Sequence, residues 1–275
     1  MQLYFCPMKK QYWFLLSLLT ILTIGINYSC NNSSGGNPED TTEKASVPAI
    51  SYSITSTLPH DTSNFTEGLE FYDSTLLEST GLPGKSKLVK YNPKTGEVLK
   101  QIKLDSAYFG EGITVLHDTL YQLTYQEGVV FVYDVKTFRK LTQLPFKGEG
   151  WGLTNDGKNI IASNGSSSLY YYEPGTFKLL KEVNVTENGN AVPNVNELEY
   201  VDGYIYANQW QYNYIIKIDP NSGNVIGKSD LTDVVKRTNT DEANVLNGIA
   251  YNSITKKLYI TGKNWPTLYE IEFSH

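Results

Sequence analysis

Cysteine is almost absent from this chain: its two cysteines, Cys6 and Cys30, both lie near the amino terminus. Beyond Cys30 no internal disulfide can form and no thiolate can bind zinc. Histidine is equally rare, because the chain has only His60, His117 and His275, and no two of them have the spacing of metal ligands. The sequence therefore predicts a domain without a metal site or cofactor, stabilised by its own core.

A surplus of basic residues is also absent. The chain has 23 Lys and Arg against 29 Asp and Glu, which gives a net charge of -6. Such a chain is poorly suited to nucleic acid and offers no basic patch to a membrane surface. Long helical periodicity is missing too, so the chain is not predicted to be helical. We expect a monomeric domain that does not bind nucleic acid.

Long apolar runs are confined to one place, from Trp13 to Ile24. This run follows Lys9 and Lys10 and precedes small and polar residues that end at Cys30. The order of basic, apolar and cleavable regions is typical of a secretory signal, and the apolar core is short for a membrane span.

The polar stretch after Cys30, NNSSGGNPEDTTEKAS, is typical of a flexible tether. A cysteine between a signal core and a tether resembles a bacterial lipoprotein junction. This predicts a signal peptide over residues 1–29, an acylated Cys30 and a tether over residues 30–47. We expect export and lipid anchoring, in the periplasm or on the outer membrane of a Gram-negative bacterium. An ordinary cleavable signal is the alternative, and Met8 is an alternative start.

The rest of the sequence consists of short alternating runs rich in Tyr, Val, Ile and Leu, separated by turn sequences such as NPKTG and DPNSG. This pattern is typical of strands joined by tight turns. Aligned runs start 44, 40, 45 and 51 residues apart, at Gly68, Gly112, Gly152, Glu197 and Gly248. Repeats of this length with about four strands each predict the blades of a β-propeller.

The two ends of the repeat region complement each other. The fifth repeat stops at Phe273 without a fourth strand, while a strand-like run, ISYSITSTL, occupies residues 50–58 and has no partner in the first repeat. A strand from the amino terminus can complete the last blade and so cover two exposed edges. The sequence predicts an all-β domain over residues 48–275, a five-bladed β-propeller closed by its N-terminal strand.

Propeller geometry brings distant residues to one end of the central channel. The first strand of each blade lines the channel, and the second strand runs antiparallel to it. The start of the first strand and the end of the second strand therefore lie at the same end of the channel, its mouth. Residues of this kind are Glu67, Glu111, Trp151, Asn196, Asn247, Glu78, Tyr125, Asn164, Trp210 and Lys263. These residue types predict a ligand pocket. Glu70 and Glu199, one pleat further along, are predicted to be structural.

Nine motifs occur in order and at blade spacing: FTEGLEF, ESTG, YFGEGIT, YQLTY, GWGLT, NELEY, ANQW, VLNGIAY and TGKNWP. From about Phe65 to Phe273 the chain therefore resembles the glutamine cyclotransferase family of plants and bacteria. The resemblance implies a five-bladed propeller and a glutaminyl-peptide cyclotransferase that needs no metal. Such an enzyme converts the N-terminal glutamine of peptides and proteins to pyroglutamate and releases ammonia.

The resemblance also implies residue roles. Glu111 matches the catalytic acid/base of the family, and Lys263 and Asn196 are expected to act with it by donating to the developing oxyanion. Substrate-binding roles fall to Phe65, Glu67, Tyr125, Trp151, Trp210 and Asn247. The chain departs from the family in three places, since the family often has glutamine at Glu67, tryptophan at Tyr125 and an acid at Asn164.

Two other functions are compatible with the same ring of residues. Glu67, Glu111, Asn196 and Asn247 carry oxygen ligands suited to calcium, as in propeller lactonases and esterases, although Lys263 would repel such an ion. A propeller that binds a peptide or glycan partner without catalysis is the second alternative, because the fold alone does not determine function.

Overall fold

A computed structural model of the chain describes residues 46–274. The predicted signal peptide, Cys30 and nearly all of the predicted tether lie outside the described residues, so these assignments stay predictions. No helix among the described residues has the length and apolar character needed to cross a membrane.

Short antiparallel strands make up nearly all the regular structure of residues 46–274. The first is β1 (Tyr52–Pro59), and a four-stranded sheet follows with β2 (Thr66–Tyr72), β3 (Thr75–Thr80), β4 (Lys87–Tyr91) and β5 (Val98–Lys103). The second sheet contains β6 (Gly110–Leu116), β7 (Thr119–Thr124), β8 (Val129–Asp134) and β9 (Lys140–Pro145). The third contains β10 (Leu153–Asn155), β11 (Ile160–Ala162), β12 (Ser168–Tyr172) and β13 (Leu179–Asn184).

A small hairpin separates the third sheet from the fourth, with β14 (Thr186–Glu187) and β15 (Asn190–Ala191). The fourth sheet contains β16 (Val195–Val201), β17 (Tyr204–Gln209), β18 (Tyr214–Ile218) and β19 (Val225–Asp230). One helix, α1 (Thr232–Thr238), leads to β20 (Leu246–Asn252), β21 (Lys257–Gly262) and β22 (Thr267–Phe273).

The fifth sheet has the order β20, β21, β22 and β1. β1 pairs antiparallel with β22, with Tyr52 opposite Phe273 and Pro59 opposite Thr267. Its burial alternates residue by residue, because an outer strand packs one face on the neighbouring blade and leaves the other in water. Strands from both ends of the described chain therefore make one blade, and β1 starts two residues after the predicted strand.

The first strands of the five sheets form a closed ring. β2 contacts β6, β6 contacts β10, β10 contacts β16, β16 contacts β20, and β20 contacts β2 again. Adjacent sheets pack through apolar side chains; Leu77 and Ile113, for example, are fully buried in the cluster between the first and second sheets. Each such burial stabilises the fold by roughly 1.5–3 kcal/mol. The five-bladed β-propeller predicted from the sequence is confirmed.

Glycines allow the inner strands to approach each other closely. A Cβ at Gly112 would lie 2.5 Å from the carbonyl oxygen of Trp151 and 2.5 Å from the amide nitrogen of Leu153, and a Cβ at Gly152 would collide with the Asn196 carbonyl. The amide of Gly112 also donates to the Trp151 carbonyl oxygen at 2.7 Å. Gly112 and Gly152, which start the second and third repeats, are thus required by backbone contact at the channel.

Candidate active site

A pocket of about 240 Å³ opens at the end of the channel where the first strands begin. It is lined by Phe65, Glu67, Leu82, Phe109, Glu111, Tyr125, Trp151, Asn196, Trp210 and Lys263. These residues come from all five blades. The pocket brings together seven of the ten predicted mouth residues, and Phe65 with them.

β-bulges place the polar side chains of this pocket. In β6 the pairing with β7 shifts between Gly110 and Ile113, so Glu111 lies on a bulge. Comparable shifts occur at Glu67 in β2, at Asn196 in β16 and at Asn247 in β20. A bulge adds one unpaired residue and turns its side chain out of the regular alternation. The same irregularity, repeated in four blades, brings Glu67, Glu111 and Asn196 into the pocket lining and Asn247 directly beneath it.

A buried hydrogen-bonded chain forms the floor of the pocket. Lys263 Nζ lies 2.6 Å from Glu67 Oε1, and both side chains are buried. Asn247 Nδ2 donates to Glu67 Oε2 at 3.3 Å, and Asn196 Nδ2 donates to Asn247 Oδ1 at 3.0 Å. Burial raises the pKa of Glu67 to about 7, while the Lys263 ammonium group opposes that rise. These hydrogen bonds link the first, fourth and fifth blades.

Glu111 is the exception on this floor. It lines the pocket and is only 6% exposed, yet none of the described residues donates a hydrogen bond to its carboxylate. Burial raises the pKa of Glu111 well above its usual value, and the charges of Glu67, Glu127 and Glu149 raise it further, whereas Lys263 lowers it. A buried carboxyl without a partner is costly. Its free oxygens point to a ligand that binds in the pocket.

Aromatic rings form the walls above the floor. Phe65 and Phe109 meet edge to face with ring centroids 6.3 Å apart, and Phe109 lies 5.9 Å from Tyr125. On another part of the wall, Trp151 and Trp210 meet edge to face at 5.6 Å. The five rings are half-buried, so each presents a face or an edge to the pocket. The site thus combines a polar floor with an apolar wall, the usual composition of a small-molecule site.

Three of the ten predicted mouth residues do not line the pocket. Glu78 is fully buried beside His60, where its carboxylate accepts hydrogen bonds, and Asn164 lies in a separate groove and accepts from Ser166. Asn247, which the sequence predicted to contact substrate, lies beneath the pocket and supports Glu67 and Asn196. Glu78 occupies a ladder position opposite Leu69, short of the strand end, which turns it away from the channel.

Two lining residues were not predicted, Leu82 and Phe109. Phe109 precedes the GEG motif, and the ring occupies the space that a Cβ at Gly81 would fill. This contact explains why ESTG ends in glycine, and Gly81 is thus the one sequence feature that could have indicated the position of Phe109. Leu82 has a φ of 86°, a left-handed conformation that is unusual for a bulky residue. It lies in a connecting loop, and no sequence pattern indicates its direction.

Glu70 and Glu199, predicted to be structural, accept hydrogen bonds within the channel wall. Thr114 Oγ1 donates to Glu70 at 3.1 Å, and the Tyr251 amide donates to Glu199 at 2.7 Å. Glu197 was not singled out in the sequence, but its two carboxylate oxygens accept the amides of Leu69 and Ile249 at 3.2 Å and 2.8 Å. Glu70 and Glu199 link inner strands of adjacent blades, and Glu197 joins its own blade to the fifth and also to the first.

The sequence of this chain matches those of known proteins over most of its length. A sequence model described as glutamine cyclotransferase matches residues 27–273. The chain belongs to the glutamine cyclotransferase family. It is 40% identical over 226 residues to a glutaminyl-peptide cyclotransferase of Arabidopsis thaliana, a match that covers 80% of this chain and 70% of the plant protein.

A solved structure of a family member has the same fold. The chain superimposes on the glutaminyl cyclase of Myxococcus xanthus with a TM-score of 0.79 and 32% identity, covering 84% of this chain and 99% of the bacterial one. Coverage of nearly the whole bacterial protein means that the glutamine cyclotransferase fold is contained in this chain. The resemblance identified from nine short motifs is confirmed.

The calcium-dependent alternative finds little support in the glutamine cyclotransferase pocket. Among residues 46–274, no three His, Cys, Asp or Glu side chains are grouped so that they could hold a metal ion together. Glu67, one of the four side chains that such a site would need, already pairs with the Lys263 ammonium group. A cation placed between Glu67 and Glu111 would have to displace that ammonium group or lie beside it.

Proposed function

We propose that this chain is a glutaminyl-peptide cyclotransferase with Glu111 as its acid/base. The α-amine of an N-terminal glutamine attacks the side-chain carboxamide carbon of the same residue. The new bond from nitrogen to carbon closes a five-membered lactam, and the bond from that carbon to the amide nitrogen breaks. The proton lost by the amine leaves with that nitrogen as ammonia. The reaction needs a folded-back substrate, an uncharged attacking amine and a protonated leaving group.

The observation that carries this proposal is the unpartnered, buried carboxyl of Glu111 in the pocket. A group that takes a proton from the amine and then returns it to the leaving nitrogen needs a pKa near the working pH. Burial and three neighbouring carboxylates raise the pKa of Glu111 in that direction, and the absence of fixed donors leaves its oxygens available to both nitrogens of the substrate.

Lys263 and Asn196 supply the oxyanion donors. Lys263 gives one ammonium proton to Glu67, and Asn196 gives one amide proton to Asn247, so each retains at least one donor for a substrate oxygen. Both groups are held in place before substrate arrives, since each is buried and hydrogen-bonded. Donors that are already oriented stabilise a developing negative charge without reorganisation.

The pocket size favours the end of a chain over an internal segment. At about 240 Å³ it lies below the roughly 300 Å³ at which pockets for drug-sized ligands begin, which suits one terminal residue. The aromatic walls would hold the folded-back glutamine and exclude water, which protects the intermediate from hydrolysis. The following residues of the peptide would leave through the open mouth.

An ammonia-release assay on a short peptide with N-terminal glutamine tests the proposal. The N-acetylated peptide serves as the matched control, because its blocked amine cannot attack. We expect steady ammonia release and a mass loss of one ammonia from the free peptide only, and the same rate after exhaustive treatment with EDTA. Absence of turnover would favour the non-catalytic binding propeller, and loss with EDTA that calcium restores would favour the calcium-dependent alternative.

We also infer that the protein acts as an exported, lipid-anchored monomer. This rests on the sequence of residues 1–47 and the net charge, both of which are independent of the pocket. Metabolic labelling with a radioactive fatty acid tests the anchor: wild-type protein should carry label, and Cys30→Ser should not. Equal labelling of both would rule out Cys30 as the acylated residue, and light scattering of the soluble domain would measure its mass.

A further inference from the structure

A second buried polar cluster lies next to the pocket, between the last and first blades. His60 follows β1, Glu78 lies in β3, and both are buried. His60 Nε2 lies 3.1 Å from Glu78 Oε1 and 3.2 Å from Oε2, while His60 Nδ1 lies 2.7 Å from the carbonyl oxygen of Trp265. Neither side chain lines the pocket, so the proposed mechanism leaves this pair without a role.

The hydrogen-bond partners indicate where the protons of this pair lie. Nδ1 must carry a proton, because the Trp265 carbonyl can only accept a hydrogen bond. Both oxygens of Glu78 already accept, one from Thr66 Oγ1 at 2.7 Å and the other from Asn64 Nδ2 at 2.8 Å. As a carboxylate, Glu78 can accept from Nε2 as well. Burial lowers the pKa of His60, but the charge of Glu78 and its hydrogen bond raise it overall. We therefore assign His60 as an imidazolium paired with a carboxylate.

The pair joins the two segments that supply the charged floor of the pocket. On one side, Thr66 precedes Glu67 and donates to Glu78, and it also lies 3.3 Å from the Gly262 carbonyl oxygen. On the other side, the Trp265 carbonyl that accepts from His60 follows Lys263 by two residues. Two hydrogen bonds of the pair, to Thr66 and to Trp265, therefore end within two residues of Glu67 and Lys263.

Backbone bonds join the same two segments. The His60 amide donates to the Pro266 carbonyl at 3.1 Å, and the Asn264 amide donates to the Asn64 carbonyl at 2.8 Å. Asn264 Nδ2 donates to the Thr62 carbonyl at 2.9 Å, and Asn264 has a left-handed φ of 57°. The tight turn that carries Lys263 thus depends on contacts with residues 60–66 for its position.

We propose that His60 and Glu78 are positioning residues that hold the Lys263 turn against the strand that carries Glu67. The proposal rests on the function proposed above, in which Lys263 donates to the oxyanion and lowers the pKa of Glu111. Through the Trp265 carbonyl, the imidazolium holds the turn at the distance at which Lys263 meets Glu67. If the turn shifts, Lys263 Nζ moves away from Glu67 and from the pocket.

Two substitutions of His60 separate its two hydrogen bonds. In His60→Asn, the amide nitrogen can take the place of Nδ1 and keep the bond to Trp265, whereas in His60→Gln it takes the place of Nε2 and keeps only the bond to Glu78. We expect kcat to fall about tenfold to a hundredfold in His60→Gln, because small misplacements of catalytic groups cost that much. His60→Asn should retain most of the wild-type kcat.

The pKa of Glu111 gives a readout that needs no turnover. Protein labelled with carbon-13 at glutamate carboxyls is titrated by NMR, and the Glu111 signal is assigned by its loss in Glu111→Gln. Lys263 lowers the pKa of Glu111, so a displaced lysine must let it rise. We expect the Glu111 midpoint to be higher in His60→Gln than in wild type and close to wild type in His60→Asn.

Glu270→Gln is the matched control for loss of stability. Glu270 also links strands of the last blade, since it accepts from Thr55, Lys257 and Tyr259, but it does not line the pocket. We expect it to lower the melting temperature without changing kcat or the Glu111 midpoint. If His60→Gln lowers only the melting temperature, as this control does, or if its kcat falls less than that of His60→Asn, the positioning role is overturned.

A folding failure of His60→Gln leaves the proposal testable through Glu78→Gln, which keeps the imidazole and removes the charge that holds it. We expect this variant to raise the Glu111 midpoint, and an unchanged midpoint would contradict the proposal. The NMR result also separates the two hypotheses. A wild-type protein without cyclotransferase activity overturns the proposed function, whereas midpoints that do not respond to His60 or Glu78 overturn the positioning pair.

Discussion

Lys263 Nζ lies 2.6 Å from Glu67 Oε1 in a site where both side chains are buried. The family resemblance implies glutamine at the position of Glu67, so in this chain the Lys263 ammonium group meets a carboxylate in place of a neutral carboxamide. Glu67 accepts a hydrogen bond from the Lys263 ammonium group, and its negative charge raises the pKa of Glu111. The electrostatics of this pocket therefore depend on how Glu67, Lys263 and Glu111 share protons.

The first prediction is that Glu67→Gln moves the acidic limb of the pH profile of kcat/KM to lower pH. Burial and then Glu67 raise the pKa of Glu111, and Lys263 lowers it. Removing the Glu67 charge takes away the largest of the charges that raise this pKa, so the pKa falls and the carboxylate form of Glu111 persists to lower pH. Activity that depends on this form should persist with it.

The control is Glu97→Gln, which removes the same charge from an exposed turn. It should leave the limb where it is in wild type. A Glu67→Gln profile that coincides with wild type would mean that Glu67 does not set the pKa of Glu111.

The second prediction is that Glu111→Gln abolishes most activity while stabilising the fold at neutral pH. The proton shuttle is lost, and general acid/base steps contribute about 100-fold to 10,000-fold to kcat. The sign for stability follows from the pKa of Glu111, which is raised in the folded state. Such a carboxyl opposes folding increasingly as pH rises above its unfolded pKa of about 4.3.

Urea denaturation at two pH values checks the stability half of this prediction. Glu111→Gln should be more stable than wild type at pH 8 and indistinguishable from it at pH 4, where both side chains are neutral. Lower stability of the variant at pH 8 would show that the Glu111 carboxylate has a stabilising partner.

The third prediction is that removal of residues 48–58 destabilises the propeller. The truncation deletes nearly all of β1, so β22 becomes an exposed edge. Tyr52, Ile54 and Leu58 are half-buried against the cores of the last and first blades. At about 1 kcal/mol for each half-buried side chain, the loss is about 3 kcal/mol. This should lower the melting temperature by about 6–12 °C relative to a chain that starts at residue 46. Equal melting temperatures would show that the sheet of the last blade does not need β1.

The sequence predicts the fold well because its signals are local and repeated. Turn sequences and inner-strand glycines recur at blade spacing, and Gly112 and Gly152 mark backbone contacts that tolerate no Cβ. One geometric rule places the residues that enter the first strands at the mouth, and four of the five line the pocket, whereas Asn247 lies beneath it. The bulges that direct these side chains leave no separate mark in the sequence.

The prediction fails where the end of a second strand or a loop decides the direction of a side chain. Glu78 and Asn164 were placed at the mouth by the same rule, but the register of β3 turns Glu78 toward His60, and Asn164 caps its own loop through Ser166. Phe109 and Leu82 reach the pocket from loops, where no periodicity fixes direction. The contact of Glu78 with His60 and that of Phe109 with Gly81 are tertiary contacts, which a single sequence does not display.

The fourth prediction concerns the contribution of the Lys263–Glu67 ion pair to stability. Lys263→Met keeps the apolar stem of the lysine but leaves Glu67 buried without its cation. Breaking a buried pair in this way costs about 3–5 kcal/mol, whereas replacing both partners by neutral groups is often close to neutral. The double variant Glu67→Gln/Lys263→Met should therefore recover most of the loss, with a coupling that a double-mutant cycle measures.

The pKa of Glu67 determines how the stability of Lys263→Met changes with pH. Burial raises the pKa of Glu67 to about 7 against the opposing Lys263 charge, so without Lys263 it must be higher still. An acid with a raised folded pKa costs no stability below its unfolded pKa of about 4.3 and costs more as pH rises toward the folded value. Urea denaturation should show that Lys263→Met loses far more stability at pH 8 than at pH 5, while the double variant shows no such difference. An equal loss at both pH values would mean that the lysine stabilises the fold by packing alone, and that Glu67 does not carry the buried charge on which the electrostatics of the pocket depend.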